Sequence, residues 1–276
     1  MKDYSLVLTL TPCVTLDLVR IPAGEFLMGS TDADKSASSD ERPQHKVMLD
    51  EYLIGKYPVT NAQYEVYAKA KGLRWSMPRG KEKHPVVEVS WDDAMAFCAW
   101  ASHVTGREVT LPTEAQWEKA ARGTDGRHYP WGNHAPDKTR CNYQGDVGHT
   151  TVVGRYSPKG DSPYGVADMS GNVWEWVADW YDENSYANAP ASNPHCPPAG
   201  TYRVVRGGGW YGYASNVRAA FRFRVQQTSR VDLCGFRVAV SAVDRLHADY
   251  PASITVLYCH QRVFSAWLPG RTHSSD

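Results

Sequence analysis

Helical periodicity disappears at about residue 125, and Gly, Pro, Asn, Asp and Trp then dominate the chain through residue 200. This composition is typical of turns and loops, and it leaves room only for short strands. We expect one such strand at residues 151–153, and later ones at 202–206 and 236–240. So long a stretch has too little regular structure for an ordinary enzyme core. Its loops must therefore be held by aromatic side chains, turns or bound ions.

The residues before this stretch are more regular. Short strands are predicted at 18–21, 26–28, 46–49 and 52–54, with a polar surface loop at 30–44. Three helices follow, each marked by a capping box at its start and a glycine at its end. These signals are Thr60 and Gln63 with Gly72, Ser90 and Asp93 with Gly106, and Thr113 and Gln116 with Gly123.

Charge and hydropathy exclude several classes of protein. The 30 basic and 30 acidic side chains give a net charge of zero, whereas nucleic-acid binders carry a basic surplus. The mean hydropathy is −0.50, and no stretch approaches the roughly 20 apolar residues of a membrane-spanning helix. The six cysteines form no CxxC pair, and the N-terminal apolar run is too interrupted for a signal peptide. We expect a cytoplasmic protein without nucleic-acid binding or membrane insertion, and surface display by another route stays open.

Familiar catalytic signatures are not matched. Residues 160–165 differ from GxSxG because the second glycine comes one position late. The glycines at 207–209 precede Trp210 and no capped helix, unlike a phosphate-binding loop. None of the ten histidines lies in an HExxH motif. A Ser/His/Asp triad stays open, since its members need not be neighbours in sequence.

Two carboxylates bracket a glycine-containing turn at residues 168–175. Asp168 and Glu175, with the backbone carbonyls between them, could face one point, and such hard oxygen donors suit Ca²⁺. In the alternative, these carboxylates cap backbone amides or pair with arginines. The spacing alone slightly favours that alternative.

Four longer motifs stand out in the sequence. They are Ile-Pro-Ala-Gly-Glu-Phe-Leu-Met-Gly-Ser at 21–30, Leu-Pro-Thr-Glu-Ala-Gln-Trp-Glu at 111–118, Gly-Asn-Val-Trp-Glu-Trp at 171–176 and Arg-Gly-Gly-Gly-Trp at 206–210. Together they resemble the formylglycine-generating enzyme (sulfatase-modifying factor) family. Shorter matches at 41–45, 58–61, 85–87, 130–132 and 235–239 extend the resemblance over residues 19 to about 241. It implies an α+β, C-type-lectin-like fold with little regular secondary structure.

The resemblance also implies a structural calcium ion. In the family, the positions of Asp168, Gly171, Val173 and Glu175 form one Ca²⁺ site through side chains and backbone carbonyls, which strengthens the metal interpretation of this turn. A second family site has only a partial counterpart at 141–143, without its acidic loop, and is not expected here.

The sequence departs from the family at its copper site. Catalytic members carry two cysteines about four residues apart after the glycine-rich motif, and the alignment places Gly212 and Asn216 there. Neither residue supplies the thiolate that Cu(I) requires, so no copper and no formylglycine synthesis are expected.

The same region resembles the variable segment of diversity-generating-retroelement proteins built on this fold. In those proteins adenines of Asn-type codons are randomised, and the changed residues lie on the ligand-binding face. An Arg/Ala framework from Arg218 to Arg230 alternates here with residues reachable in that way. The candidate ligand-binding residues are Tyr211, Gly212, Tyr213, Ser215, Asn216, Phe221, Phe223, Val225, Val231, Asp232, Leu233 and Cys234.

Two features of this segment allow more than one interpretation. Phe221 and Phe223 would share one face of a short strand, as a contact surface or as ordinary core. Tyr211 and Tyr213 follow a glycine turn, where exposure is more natural, and tyrosine suits a binding surface because it offers rigid contact area. The arginines could bind an anionic ligand, although bracing of the sheet through buried carboxylates and carbonyls is favoured.

Together these patterns predict one domain at 1–242, a variable region at about 205–239, and a tail at 243–276 in which 254–258 has a strand pattern. The predicted function is non-catalytic binding of an unknown protein or surface ligand. A divergent oxidase of the same fold and a regulatory pseudoenzyme are the alternatives.

Overall fold

The computed structural model of the chain describes residues 5–195 and 199–242. The predicted tail and its strand at 254–258 lie outside these residues. In chain order the strands are β1 (Ser5–Thr11), β2 (Val14–Ile21), β3 (Gly24–Met28), β4 (His45–Leu49), β5 (Tyr52–Gly55), β6 (Val109–Thr110), β7 (Trp174–Trp180), β8 (Arg203–Arg206), β9 (Arg222–Val225), β10 (Cys234–Phe236) and β11 (Ala239–Ser241). The helices are α1 (Asn61–Ala70), α2 (Trp91–Thr105), α3 (Glu114–Arg122) and α4 (Ser185–Asn188), with a 3₁₀ turn at Ser39–Glu41.

The strands form three small sheets. One has the order β1-β2-β5-β11-β6, the second β10-β7-β8-β9, and the third pairs β3 with β4. Within the second sheet β7 runs parallel to β10 and antiparallel to β8, which is in turn antiparallel to β9. Strand β9, which carries part of the predicted variable region, is therefore an edge strand.

The three predicted helices are confirmed with their caps. The Gln63 N–H donates to Thr60 Oγ1 at 3.3 Å, and the Thr60 N–H donates back to Gln63 Oε1 at 2.8 Å. Reciprocal bonds of the same kind begin α2 at Ser90 and α3 at Thr113. Gly106 ends α2 with a φ of 67°, the left-handed geometry that glycine adopts at little cost.

Two strand predictions were wrong. Residues 151–153 form no strand, because Asn172 holds this loop: the Thr151 N–H donates to Asn172 Oδ1 at 2.8 Å, and the Asn172 N–H donates to the Asn142 carbonyl at 2.8 Å. The single strand predicted at 236–240 is divided into β10 and β11, with Arg237 and Val238 between them. Strands β1, β6 and β7 were not predicted.

The central strands of the second sheet, β7 and β8, are buried on both faces. Trp176 of β7 and Val205 of β8 belong to one core cluster, which α1 and α2 complete. Their chain neighbours Val177 and Val204 point the other way, into a cluster built around Trp117 of α3. Because side chains alternate along a strand, this sheet separates two apolar cores and is fixed from both sides.

Buried ion pairs connect helix α3 to strands β8 and β9 in the loop-rich half of the chain. Arg206, fully buried, donates to Glu114 Oε1 at 2.9 Å and to Glu118 Oε2 at 2.6 Å. Arg122 contacts the same Glu118 at 2.8 Å, and Arg222 contacts Glu114 at 2.7 Å. The favoured interpretation of these arginines, bracing through buried carboxylates and carbonyls, is confirmed for the buried ones.

Candidate functional site

The segment 210–216 forms two consecutive turns at the surface. The Gly212 N–H donates to the Gly209 carbonyl at 2.9 Å, and the Tyr213 N–H donates to Asn216 Oδ1 at 2.9 Å. Tyr211 and Tyr213 project from these turns with 67% and 72% of their surface exposed. Asn216 thus supports the turn, and the two tyrosines are presented to solvent.

A neighbouring loop fixes this turn from one side. The Gln144 N–H donates to the Gly212 carbonyl at 2.8 Å, and the Gly145 N–H donates to the Trp210 carbonyl at 2.8 Å. Gly145 has a φ of 73°, and the Tyr211 ring covers it closely enough that an added Cβ would lie 3.4 Å from Tyr211 Cδ2. The backbone of the turn is therefore set by contacts that do not involve the exposed tips of the tyrosines.

Phe221 and Phe223 lie on one face, as the alternation along the strand predicted. Their ring centroids are 5.9 Å and 5.4 Å from that of Trp174 on β7. Phe221 is half-buried, whereas Phe223 is 49% exposed. Trp174 is itself half-buried, and it forms an aromatic floor below both side chains.

Four residues adjoining Phe221 point inward, and the two arginines among them form ion pairs. Arg218 donates to both oxygens of Glu41 at 2.7 and 2.8 Å. Arg222 donates to both oxygens of Glu114 at 2.7 and 2.9 Å. Ala219 and the adjoining Ala220 are buried as well. The backbone of the variable region is thus held from below by two bidentate ion pairs.

The candidate residues differ in exposure. The exposed ones are Tyr211, Tyr213, Ser215, Phe223, Val231 and Asp232. The half-buried ones are Gly212, Asn216, Phe221, Val225 and Leu233. Cys234 was wrongly included: it begins β10, is 2% exposed, and burial raises the pKa of its thiol to about 12. The Arg/Ala framework is not buried throughout, because the side chains of Arg224 and Arg230 are exposed.

Sequence reasoning did not include Trp174 or residues 144–145 in the site. Trp174 belonged to the motif considered for metal binding, and its exposure depends on how β7 pairs with β8 and β10. The contact between residues 144–145 and the turn at 210–212 joins distant parts of two loops. No local pattern signals such a contact.

The carboxylates of the turn at 168–175 are both engaged by protein groups. Arg237 donates to Glu175 Oε2 and Oε1 at 2.6 Å each, and Trp117 Nε1 donates to Oε2 at 2.8 Å. The Gly154 N–H donates to Asp168 Oδ2 at 2.6 Å. Burial raises the pKa of Asp168 to about 6, against the opposing effect of that N–H.

These contacts determine which carboxylate oxygens are available to bind a calcium ion. Glu175 is fully buried and its charge is already neutralised by Arg237, which matches the alternative of arginine pairing. Asp168 has one oxygen bound to an amide and keeps acceptor capacity on the other. Across residues 5–195 and 199–242, no three side chains of His, Cys, Asp or Glu come together as metal ligands. The donor set fits Ca²⁺ only if Glu175 shares its oxygens with Arg237, so calcium at this turn stays a prediction.

The aligned positions of the family's copper-binding cysteines adjoin each other. A Cβ added at Gly212 would lie 3.5 Å from the Cβ of Asn216. Elsewhere, Cys141 is buried, and burial raises the pKa of its thiol to about 12. A free thiolate is therefore disfavoured at both Cys141 and Cys234.

A mixed α+β architecture of three small sheets, short helices and long pinned loops defines a C-type-lectin-like protein. The chain belongs to the formylglycine-generating enzyme (sulfatase-modifying factor) family, since the family profile described as "Sulfatase-modifying factor enzyme 1-like domain" matches residues 11–242.

Known relatives include both enzymes and a variable protein. A formylglycine-generating enzyme of Streptomyces coelicolor is 32% identical, with 84% of this chain and 91% of the relative covered. Among solved structures, PvdO from Pseudomonas aeruginosa has a TM-score of 0.76 at 27% identity, covering 87% of this chain and all of PvdO. The Treponema denticola variable protein 1 has a TM-score of 0.70 at 26% identity, with 87% and 99% covered.

Within the part of the chain that can be described, no helix is both long and apolar enough to span a membrane.

Proposed function

We propose that this protein binds a ligand without chemical transformation, through a face that we call the variable face. It consists of the exposed and half-buried candidates named above, resting on Trp174. The partner is a protein or another surface ligand. Our proposal includes the origin of this face in a diversity-generating retroelement, and the likeness to the Treponema denticola variable protein 1 supports it.

The observation that carries the proposal is that the segment contains two kinds of residue: buried arginines that anchor its backbone and exposed side chains that face solvent. Arg218 and Arg222 point into the protein and hold buried carboxylates, whereas Phe223, next to Arg222, and Tyr213, earlier in the segment, are exposed to solvent. A backbone anchored in this way tolerates changes at the exposed positions, because their side chains contribute little to the core. Such a surface can change its partner without losing its fold.

Binding would draw on the desolvation of a rigid aromatic patch. Tyr211, Tyr213 and Phe223 are the largest exposed apolar side chains of the segment. Aromatic side chains carry much of the energy in protein interfaces, and a prearranged backbone lowers the entropic cost of association.

The first experiment separates fold from recognition. Tyr211→Ala combined with Tyr213→Ala should leave the circular dichroism spectrum and melting temperature nearly unchanged while it alters partner choice. Loss of folding in this double variant contradicts the proposal. In the encoding DNA, a near-copy of the codons for 205–239, differing only at adenines and lying beside a reverse transcriptase gene, is expected.

A divergent oxidase is the second candidate, favoured by the 32% identity to a formylglycine-generating enzyme. The test is copper titration under reducing conditions, together with turnover of a cysteine-containing sulfatase peptide. Detectable formylglycine would overturn the non-catalytic proposal. A regulatory pseudoenzyme is a third candidate, and invariant residues at 211–234 among strains would favour it.

A further inference from the structure

The loop that follows α1 concentrates positive charge in a chain whose net charge is zero. We call residues 71–84 the basic loop. It contains five Lys or Arg side chains and a single acidic residue, Glu82. The five cations are Lys71, Arg74, Arg79, Lys81 and Lys83, of which all but the half-buried Lys81 are exposed.

These five cations have no ion-pair partner among the residues that the structure describes. None of them forms an ion pair with any residue in the ranges 5–195 and 199–242. Some exposed cations elsewhere do so, as Lys46 does with Glu25 at 3.3 Å and Lys69 does with Glu65 at 3.0 Å. With five cations and one carboxylate, the basic loop therefore carries a local excess of positive charge that no ion pair within the described ranges offsets.

Packing and hydrogen bonds nevertheless anchor the loop to α1 at several points. The Trp75 ring packs edge-on against Tyr64 of α1, with a centroid distance of 5.2 Å. Asn61 Nδ2 donates to the Lys81 carbonyl at 2.8 Å, and the Ala62 N–H donates to the Glu82 carbonyl at 2.9 Å. Because the backbone is fixed, the cations project from a preformed surface and little ordering entropy is lost on docking.

Apolar side chains are interleaved with these charges. Leu73 is 44% exposed and Met77 is half-buried, between Lys71 and Arg79 in the chain. This mixture matches the interface of a membrane, where cations meet lipid phosphates and apolar side chains enter the headgroup region. It does not match a nucleic acid duplex, because residues 71–84 contain no helix or strand that could enter a groove.

We propose that the basic loop is a peripheral docking surface for membranes rich in anionic phospholipid. The cations bind the headgroups, and Leu73 packs between the headgroups at the interface without entering the hydrocarbon core. This inference does not depend on the variable face, and the two surfaces can be tested separately.

The test is co-sedimentation of the full chain with vesicles of phosphatidylcholine alone or with about 30% phosphatidylserine. We expect binding only to the anionic vesicles, and loss of that binding when salt rises from about 0.1 M to about 0.5 M. Neutralising three cations by Arg74→Gln, Arg79→Gln and Lys83→Gln should weaken binding about a hundredfold, at about fivefold for each charge. Leu73→Ser should weaken it further without any change of charge.

A matched control removes three exposed cations elsewhere that likewise have no ion pair within the described residues, by Lys35→Gln, Lys138→Gln and Lys159→Gln. It changes the net charge equally and should leave vesicle binding within about twofold of the wild type. Equal losses in the two triple variants, or no binding to anionic vesicles, would overturn the inference. Tighter binding to duplex DNA than to the vesicles under the same salt would assign the loop to nucleic acid and refute the lipid assignment.

Discussion

Replacing Arg222 with alanine should destabilise the protein far more than replacing its neighbour Phe223. The Arg222 guanidinium holds both oxygens of Glu114 and also donates to the carbonyl of Asp40 at 2.8 Å. The side chains of Arg222 and Glu114 are 0% and 1% exposed. Phe223 rests on Trp174 and is 49% exposed.

The expected magnitudes follow from these environments. Breaking a buried ion pair costs about 3–5 kcal/mol, because the remaining charge stays desolvated. We expect about 3 kcal/mol for Arg222→Ala, since Arg206 still contacts Glu114. Full burial of a Phe side chain contributes up to about 3 kcal/mol, so truncation of the half-exposed Phe223 should cost about 1 kcal/mol. For a domain of this size these values lower the Tm by about 6–12 °C and about 2–4 °C.

The assay is urea unfolding followed by tryptophan fluorescence, with the free energy of unfolding taken at a common slope. If Arg222→Ala fails to fold, Arg222→Lys keeps the charge but loses the bidentate geometry and should show an intermediate loss. The control Arg224→Ala removes an exposed arginine two residues away. It should cost at most about 1 kcal/mol, because its contacts are the Tyr181 and Tyr202 rings.

The ranking of the variants is the decisive result. A loss for Phe223→Ala equal to that for Arg222→Ala would mean that the exposed side chains also hold the fold. The separation between anchored backbone and replaceable surface would then be refuted.

Three further predictions concern the metal turn, acid stability and the positions 212 and 216, which we align with the family's cysteine pair. If the turn at 168–175 binds calcium, Ca²⁺ should raise the Tm of the wild type over a chelator control but not that of Asp168→Asn, and equal melting curves for the wild type would contradict this. Burial alone would raise the pKa of Glu118, but neighbouring guanidiniums outweigh it and the net pKa is lowered. Its contribution to stability is therefore present above the unfolded carboxyl pKa and lost as pH falls through the folded value, so Glu118→Gln should flatten the acid limb of a pH–stability curve. Gly212→Cys with Asn216→Cys should form a disulfide on oxidation, because a Cβ separation of 3.5 Å is within the range for a bridge, and thiol titration measures it.

Local signals explain which parts of the fold were predictable. The capping boxes at Thr60, Ser90 and Thr113 involve side chains three residues from the backbone groups that they bind. Such pairs are readable in any sequence, and all three helices begin where these pairs predict. That residues 151–153 form a loop and no strand could not be predicted in this way, because the partner of Thr151 is Asn172, 21 residues away.

In the candidate site, too, the features set by local sequence were predictable and those set by distant contacts were not. The turn with Tyr211 and Tyr213 and the common face of Phe221 and Phe223 were readable from a glycine turn and a two-residue period. The burial of Cys234 was not, because it depends on the pairing of β10 with β7.

The sequence alone was sufficient to assign the family and the three helices, and to locate the segment that carries the candidate face. The tertiary structure alone decided which carboxylates are free and which side chains meet solvent. Glu175 finds its partner in Arg237, 62 residues along the chain, and Arg222 finds Glu114 at a separation of 108. Contacts at such separations depend on the packing of the whole domain, because no short pattern specifies which distant charge a buried side chain will neutralise.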